Sequence, residues 1–133
     1  MKKSNHNLGL LFENIVDKYG KLNAIVFNKE YVVTYDELDG LSNQIANALH
    51  KNKLSNGDVI LISGDKSLDM FATIIAALKS GITYCVYDPL GPLDRLKRIT
   101  NVCNPQLIIN SSKDEFILNS GLVDFDANIA FIN

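Results

Sequence analysis

The sequence is poor in the residues that build covalent or metal cross-links. Its 133 residues include two cysteines, Cys85 and Cys103, and two histidines, His6 and His50. Two cysteines are too few for a disulfide framework in a chain of this length, so we interpret both as small thiols in or near the core. We expect Cys85 to lie inside a buried strand and Cys103 near the end of a helix. The histidines lie far from each other and from any cysteine cluster, which argues against a metal site.

An excess of charge of one sign and long apolar runs are also missing. Thirteen basic and 15 acidic side chains leave a net charge of −2, which provides no electrostatic basis for binding nucleic acid or an anionic membrane. The apolar run near the start, residues 8–12, contains a glycine and is ended by Glu13. It is too short for a signal peptide or a membrane span, so we expect a cytoplasmic protein.

Motifs that carry catalysis in other proteins are absent. The sequence has no Gly-x-Gly-x-x-Gly, no Cys-x-x-Cys and no recognisable Ser-His-Asp set. Residues 64–67 place a glycine, a lysine and a serine together, but they lack the second glycine of a phosphate-binding loop. We interpret Ser67 as a helix N-cap instead. The acidic pair in residues 34–37 belongs to a capping box, with Thr34 as N-cap and Glu37 three residues later, and needs no catalytic explanation.

The turn at residues 88–92 is the third candidate for ligand binding. Asp88 could contact a ligand, but a turn-capping carboxylate is the preferred interpretation. Pro92 suits the first turn of a helix, and Arg95 could pair with Asp94 or with the sheet edge. We therefore predict no catalytic, cofactor-binding or metal-binding residues in this chain.

Hydrophobic periodicity predicts an α/β fold. Helical spacing predicts a helix over residues 8–19, and two short β-rich runs predict a hairpin over residues 24–33. Strands then alternate with helices, including a short helix near Phe116 before the last strand. The predicted strands are residues 59–62, 82–87, 107–109 and 129–132. This order indicates a mainly parallel sheet of flavodoxin-like βα repeats with helices on both faces, preceded by a helix and a β-hairpin, in a single domain over residues 1–133.

Residues 78–96 carry the most informative pattern. A helix ends at a glycine, a strand ends at Asp-Pro, and a proline opens the next helix. This order resembles the "LKAGxAYxPLDPxxPxxRL" signature of adenylate-forming enzymes. Weaker motifs in the family's order cover most of the remaining chain: "TYxEL" at residues 34–38, the helix with Asn43 and Ala46, "GDxV" at residues 57–59, and "xPxLl" at residues 104–107. The chain is most similar to the N-terminal portion of the large subdomain in amino-acid adenylation domains of nonribosomal peptide synthetases.

The resemblance implies a reaction but supplies no residues for it. In the complete enzyme, ATP, Mg²⁺ and a carboxylate give an acyl-adenylate and pyrophosphate, and the acyl group then passes to a pantetheine thiol. The family's phosphate loop, "YTSGTTGxPKG", and its carboxylate pocket lie downstream of Asn133. We therefore expect no cofactor and no adenylation by this chain alone, with the remainder of the domain or neighbouring synthetase or carrier domains as partners.

Two alternatives remain open. The family usually has a proline where this chain has Val86 and an aliphatic residue where it has Tyr87. These departures are compatible with a natural truncated, non-catalytic relative that acts as a structural or interaction partner of a synthetase, a carrier protein or a missing half. The other alternative is an independent flavodoxin-like module that binds a flavin or a nucleotide.

Overall fold

The structure is a computed structural model that describes residues 7–28, 30–64, 66–88, 90–110 and 128–131. Its helices are α1 (Leu8–Tyr19), α2 (Tyr35–Lys51), α3 (Leu68–Ser80) and α4 (Leu93–Cys103). Its strands are β1 (Asn23–Val26), β2 (Val32–Thr34), β3 (Val59–Ser63), β4 (Thr83–Tyr87), β5 (Leu107–Asn110) and β6 (Asn128–Phe131). The predicted short helix near Phe116 lies outside the described residues.

The strands form two separate sheets. β1 and β2 pair antiparallel as the predicted hairpin, and the other four strands form a parallel sheet in the order β4-β3-β5-β6. The chain places β4 on one side of β3 and then crosses to the other side for β5 and β6. The predicted parallel βα arrangement is confirmed, and its point of reversal lies between β3 and β5.

Side chains of the central strand β3 alternate between two cores. Ile60 and Ile62 face a large apolar cluster built with α2, α3 and the hairpin, whereas Leu61 faces a small cluster with Tyr87, Leu96 and Ile108. All three β3 side chains are completely buried. Helices therefore cover both faces, as predicted. The expectation that Cys85 lies in a buried strand is wrong, because β4 has a described neighbour on one side only and most of its side chains remain partly exposed.

Local signals fix where the helices begin and end. The capping box of α2 is complete, because the Glu37 amide donates to Thr34 Oγ1 at 3.2 Å and the Thr34 amide donates to Glu37 Oε2 at 2.9 Å. Helix α3 ends at Gly81, whose φ of 67° is left-handed and favours glycine. Helix α4 begins directly after Pro92, as the sequence predicts.

Helix α1 lies unusually close to α3. A Cβ atom added to Gly9 would sit 2.7 Å from the Cα atom of Lys79, so a glycine is needed at this crossing. Among the described residues, no helix has the length and apolar character required to cross a bilayer.

Candidate functional site

The parallel sheet brings the ends of its strands into one row. Ser63 at the end of β3 pairs in register with Tyr87 of β4 on one side and with Asn110 of β5 on the other. In open α/β sheets, ligands bind outside this carboxyl edge, at the point where the strand order reverses. The carboxyl edge of β3, β4 and β5 is therefore the candidate functional site.

The turn after β4 is held together by its own residues. The Tyr87 hydroxyl donates to the carbonyl oxygens of Gly91, at 2.6 Å, and Pro92, at 3.1 Å. Asp88 Oδ1 accepts a hydrogen bond of 2.9 Å from the amide of Leu90. The interpretation of Asp88 as a turn-capping carboxylate is confirmed. Tyr87, which is a departure from the family pattern, stabilises this turn through the hydrogen bonds of its hydroxyl.

Burial and the Asp88 carboxylate favour the neutral form of Tyr87. Burial raises the pKa of Tyr87 above its ordinary value of 10.0, the Asp88 carboxylate raises it further, and Arg95 partly offsets both. The tyrosine is therefore a hydrogen-bond donor at neutral pH rather than a base. It lines a cavity of about 250 Å³ together with Val86, Asp88, Gly91, Arg95 and Ile99.

Arg95 does not pair with Asp94. Among the described residues, the structure contains one ion pair, between Lys79 and Asp39, and Arg95 remains exposed beside the cavity. Neighbouring residues on a helix point in different directions, which explains why this suggested pair does not form. A larger cavity, of about 580 Å³, lies at the corner between α1 and α2, away from the strand ends.

The turn after β3 supplies the N-cap of the helix that follows it, α3. Ser67 Oγ accepts a hydrogen bond of 3.3 Å from the amide of Met70, which confirms the predicted N-cap of α3. Lys66 is exposed to solvent, and Asp65 lies outside the described residues. The serine hydroxyl of this segment is therefore engaged in capping, as in an ordinary strand-to-helix turn.

A buried lysine was not predicted from the sequence. Lys79 forms an ion pair with Asp39 and donates to Ser42 Oγ at 3.0 Å and Asn43 Oδ1 at 2.8 Å. Its ammonium nitrogen lies 5.4 Å from the centre of the Phe12 ring. These contacts join α1, α2 and α3, and the Lys79 side chain is only 7% exposed. Its role is structural, because its contacts are with side chains of α1 and α2 rather than with the strand ends.

The two cysteines are neighbours in space. Cys85 Sγ on β4 lies 3.1 Å from Cys103 Sγ at the end of α4, and both thiols are free and partly buried. The prediction of near-core thiols is confirmed, whereas their contact was not foreseen. Burial raises the pKa of Cys85 to about 11, with a further increase from the neighbouring Cys103 thiol. Within the described segments, no group of three or more His, Cys, Asp or Glu side chains could hold a metal ion.

Polar groups at the carboxyl edge mainly position the backbone. The hydroxyl of Tyr87, the carboxylate of Asp88 and the hydroxyl of Ser67 all bind turns or helix ends. The described residues at this edge thus build a wall of hydrogen-bonded turns with one small cavity, rather than a set of groups poised for proton transfer.

Comparison with known proteins agrees with this architecture. The family model described as AMP-binding enzyme matches residues 12–127. Tyrocidine synthase 3 of Brevibacillus parabrevis is 32% identical over 104 residues, and malpibaldin synthetase of Mortierella alpina is 37% identical over 99 residues. These matches cover 77% and 74% of this chain but 2% of each synthetase.

A solved structure shows the same fold at low sequence identity. NpsA of Klebsiella oxytoca, in complex with 3-hydroxyanthranilyl-AMSN, superimposes with a TM-score of 0.82 at 18% identity. The superposition covers 94% of this chain and 24% of the NpsA chain. The chain belongs to the AMP-binding enzyme family, and it corresponds to the N-terminal part of an adenylation domain of the nonribosomal peptide synthetase type.

Proposed function

We propose that this chain serves as the N-terminal framework of an ATP-dependent domain that activates an amino acid or another carboxylic acid for nonribosomal peptide synthesis. The observation that carries the proposal is the family match over residues 12–127, which spans the hairpin, the strands β3, β4 and β5 of the parallel sheet and the helices on both of its faces. In this role the carboxyl edge of the sheet forms part of the wall beside the reaction centre.

We propose that the chain does not adenylate a substrate by itself. Adenylation requires donors that stabilise the negative charge developing on the transferred phosphoryl group. At the carboxyl edge, Tyr87 and Ser67 already bind the turn and the helix end. ATP and Mg²⁺ are therefore expected to bind residues of the complete domain other than these.

ATP–pyrophosphate exchange tests both parts of the proposal. Residues 8–131 are grafted into the matching adenylation domain of tyrocidine synthase 3, in place of the equivalent segment. We expect exchange from the graft and none from the isolated chain. A control graft carrying Leu61→Asp, which places a carboxylate in the buried centre of β3, loses exchange. Exchange by the isolated chain would contradict its inactivity, and a folded but inactive graft would contradict the framework role.

We propose the rest of an adenylation domain, or neighbouring synthetase or carrier domains, as partners, and a cytoplasmic location. The proposal of a protein partner is supported by three exposed apolar side chains near β4 and α4, since Val86 is 47% exposed, Leu90 88% and Val102 84%. Exposed apolar surface of this kind is often covered by another protein surface. The proposal of a cytoplasmic location rests on the sequence alone.

These exposed residues also support the second candidate, a non-catalytic interaction protein. The two candidates differ in whether the chain restores activity to the part that it binds. Sedimentation with a separately expressed downstream part of a related adenylation domain, and in parallel with a carrier domain, is combined with ATP–pyrophosphate exchange of each mixture. Binding of the downstream part with exchange supports the framework role, whereas binding of the downstream part without exchange, or of the carrier domain alone, supports the non-catalytic role. Val102→Ser weakens either complex if the α4 surface is the contact.

A further inference from the structure

Cys85 and Cys103 form a site that the adenylation framework does not use. Their sulfur atoms lie 3.1 Å apart, closer than ordinary van der Waals contact, although the residues are 18 positions apart in the sequence. One thiol lies on the edge strand β4 and the other at the C-terminal residue of α4. Both are partly exposed, so a small reagent can reach them from solvent.

We propose that Cys85 and Cys103 are a redox-active dithiol site, converted to an intramolecular disulfide by a low-molecular-weight disulfide such as oxidised glutathione. The proposal goes beyond the proposed function and does not depend on it. Disulfide formation requires two cysteines whose side chains already approach each other, since a distant pair needs movement of the backbone. Here the two sulfur atoms are already in contact, 3.1 Å apart.

The reaction proceeds by two thiol–disulfide exchanges. The Cys103 thiolate attacks one sulfur of the small disulfide, which forms a mixed disulfide and releases one small thiolate. Cys85 then loses its proton to solvent and attacks the Cys103 sulfur, which releases the second small thiolate. Two protein thiols are oxidised by two electrons, one small disulfide is reduced to two thiols, and the protons pass to the released thiolates.

The order of attack follows from the environment of Cys85. Burial and the neighbouring thiol raise the pKa of Cys85, so that this thiol stays protonated at neutral pH. The attacking species in thiol–disulfide exchange is the thiolate. Cys103 therefore attacks first and Cys85 resolves the mixed disulfide.

The bond would fasten α4 to the sheet. This helix packs on the sheet through Leu96, in the small cluster with Leu61, Tyr87 and Ile108, and Cys103 is its C-terminal residue. A disulfide between residues 85 and 103 would enclose the turn after β4 and hold the far end of α4 against β4. Oxidation would thus restrict the movement of the wall at the carboxyl edge.

Equilibration of the full chain with reduced and oxidised glutathione at several ratios tests the proposal. Acid quenching, alkylation and intact-mass measurement separate the dithiol, the mixed disulfide and the internal disulfide. We expect the internal disulfide to dominate at oxidising ratios, with an equilibrium constant at least about tenfold larger in the folded chain than in concentrated urea. Equal constants, or mixed disulfides alone, would overturn the proposal.

Single serine variants test the two roles. Cys85→Ser should trap the glutathione adduct on Cys103, because the resolving thiol is missing. Cys103→Ser should react several-fold more slowly at neutral pH, because burial, the largest cause of the raised pKa of Cys85, remains in this variant. Equal rates for the two variants would contradict the order of attack.

A further measurement remains informative if the serine variants fold poorly. The oxidised wild-type chain should show a higher thermal midpoint than the reduced chain, and added reductant should reverse the increase. Peptide mapping must locate the bond between residues 85 and 103. An unchanged or lower midpoint would show that the fold does not favour the bond.

Discussion

Lys79 shows how a single residue can join three helices. Its ammonium group is enclosed by the carboxylate of Asp39, the side-chain oxygens of Ser42 and Asn43, and the face of the Phe12 ring. A buried charge of this kind is tolerated because it is paired and hydrogen-bonded. The two partners of the ion pair are not equivalent, since the side chain of Asp39 is 24% exposed and that of Lys79 is 7% exposed.

The unequal burial predicts an unequal response to mutation. Asp39→Ala leaves a buried cation without its counter-ion and should lower the free energy of unfolding by about 2–3 kcal/mol. Lys79→Met leaves a carboxylate that water can reach and should cost about 1 kcal/mol. Urea unfolding followed by circular dichroism measures both, with exposed Glu13→Ala as a control that should change little. A larger loss for Lys79→Met would contradict this reading of the ion pair.

Tyr87→Phe should lower the free energy of unfolding by about 1 kcal/mol, because the carbonyl oxygens of Gly91 and Pro92 lose their common donor. Tyr84→Phe is the matched control, since Tyr84 faces the opposite core from Tyr87. The difference between the two variants in urea unfolding gives the contribution of the hydroxyl. Equal losses would show that the hydroxyl contributes nothing specific to the turn.

Cys85 gives the fold a dependence on alkaline pH. The pKa of its thiol is raised from 9.0 to about 11 in the folded chain. The folded state therefore keeps its proton where the unfolded state has lost it, so stability is complete below pH 9 and falls as the pH rises through about 11. Urea titrations with a non-thiol reductant should show a smaller fall for Cys85→Ala. An identical pH dependence in wild type and variant would contradict the assignment.

At the scale of elements, two glycines are required by geometry and a third is not. Gly9 permits the close crossing of α1 and α3, and Gly81 ends α3 with a left-handed φ of 67°. Gly40, within α2, has no atom within 4 Å of an added Cβ. The same substitution should therefore have opposite effects at different positions.

Gly81→Ala should destabilise the chain by about 1–2 kcal/mol, because alanine is strained at this φ and its Cβ would lie 2.7 Å from Asn56 Oδ1. Gly40→Ala should stabilise it by about 0.5–1 kcal/mol, because alanine loses less backbone entropy in a helix. Thermal unfolding of the two variants measures both changes. A stabilising Gly81→Ala would show that α3 does not require a left-handed end.

The elements predicted correctly are those with local causes. The capping box of α2, the Ser67 cap of α3 and the proline before α4 are encoded within a few residues, and the continuous apolar run of β3 reflects burial on both faces. The Lys79–Asp39 ion pair joins residues 40 positions apart, and the thiol contact joins residues 18 positions apart. Such contacts depend on how helices cross and on which strand lies at the edge, and a single sequence carries no local signal for either.

At the scale of the whole molecule, the sheet divides the core unequally. The face covered by α2 and α3 holds the large apolar cluster, and the face covered by α4 holds the small one. Stability within a protein follows such differences, because poorly packed elements open at lower free energy than the central core. The candidate site lies where the stable central strand meets the less firmly packed β4 and α4.

Amide hydrogen exchange should detect the difference in stability between the two faces of the sheet. Amides of β3 and of the middle of α3 should exchange most slowly, at the free energy of global unfolding. Amides of α4 should exchange faster through local opening, and oxidation of the cysteine pair should slow them. Peptide-resolved mass spectrometry provides the comparison. Equal protection of α3 and α4 in the reduced chain would contradict the unequal core.

The position of β3 also has a consequence for synthesis on the ribosome. This central strand is synthesised before both of its neighbours. Val59 precedes its partner Thr83 by 24 residues, and Ile60 precedes Leu107 by 47 residues. The most apolar segment of the sheet is therefore the one left longest without its pairing strands in the nascent chain. Aggregation during translation should begin at β3, and a pause after it should favour capture by chaperones.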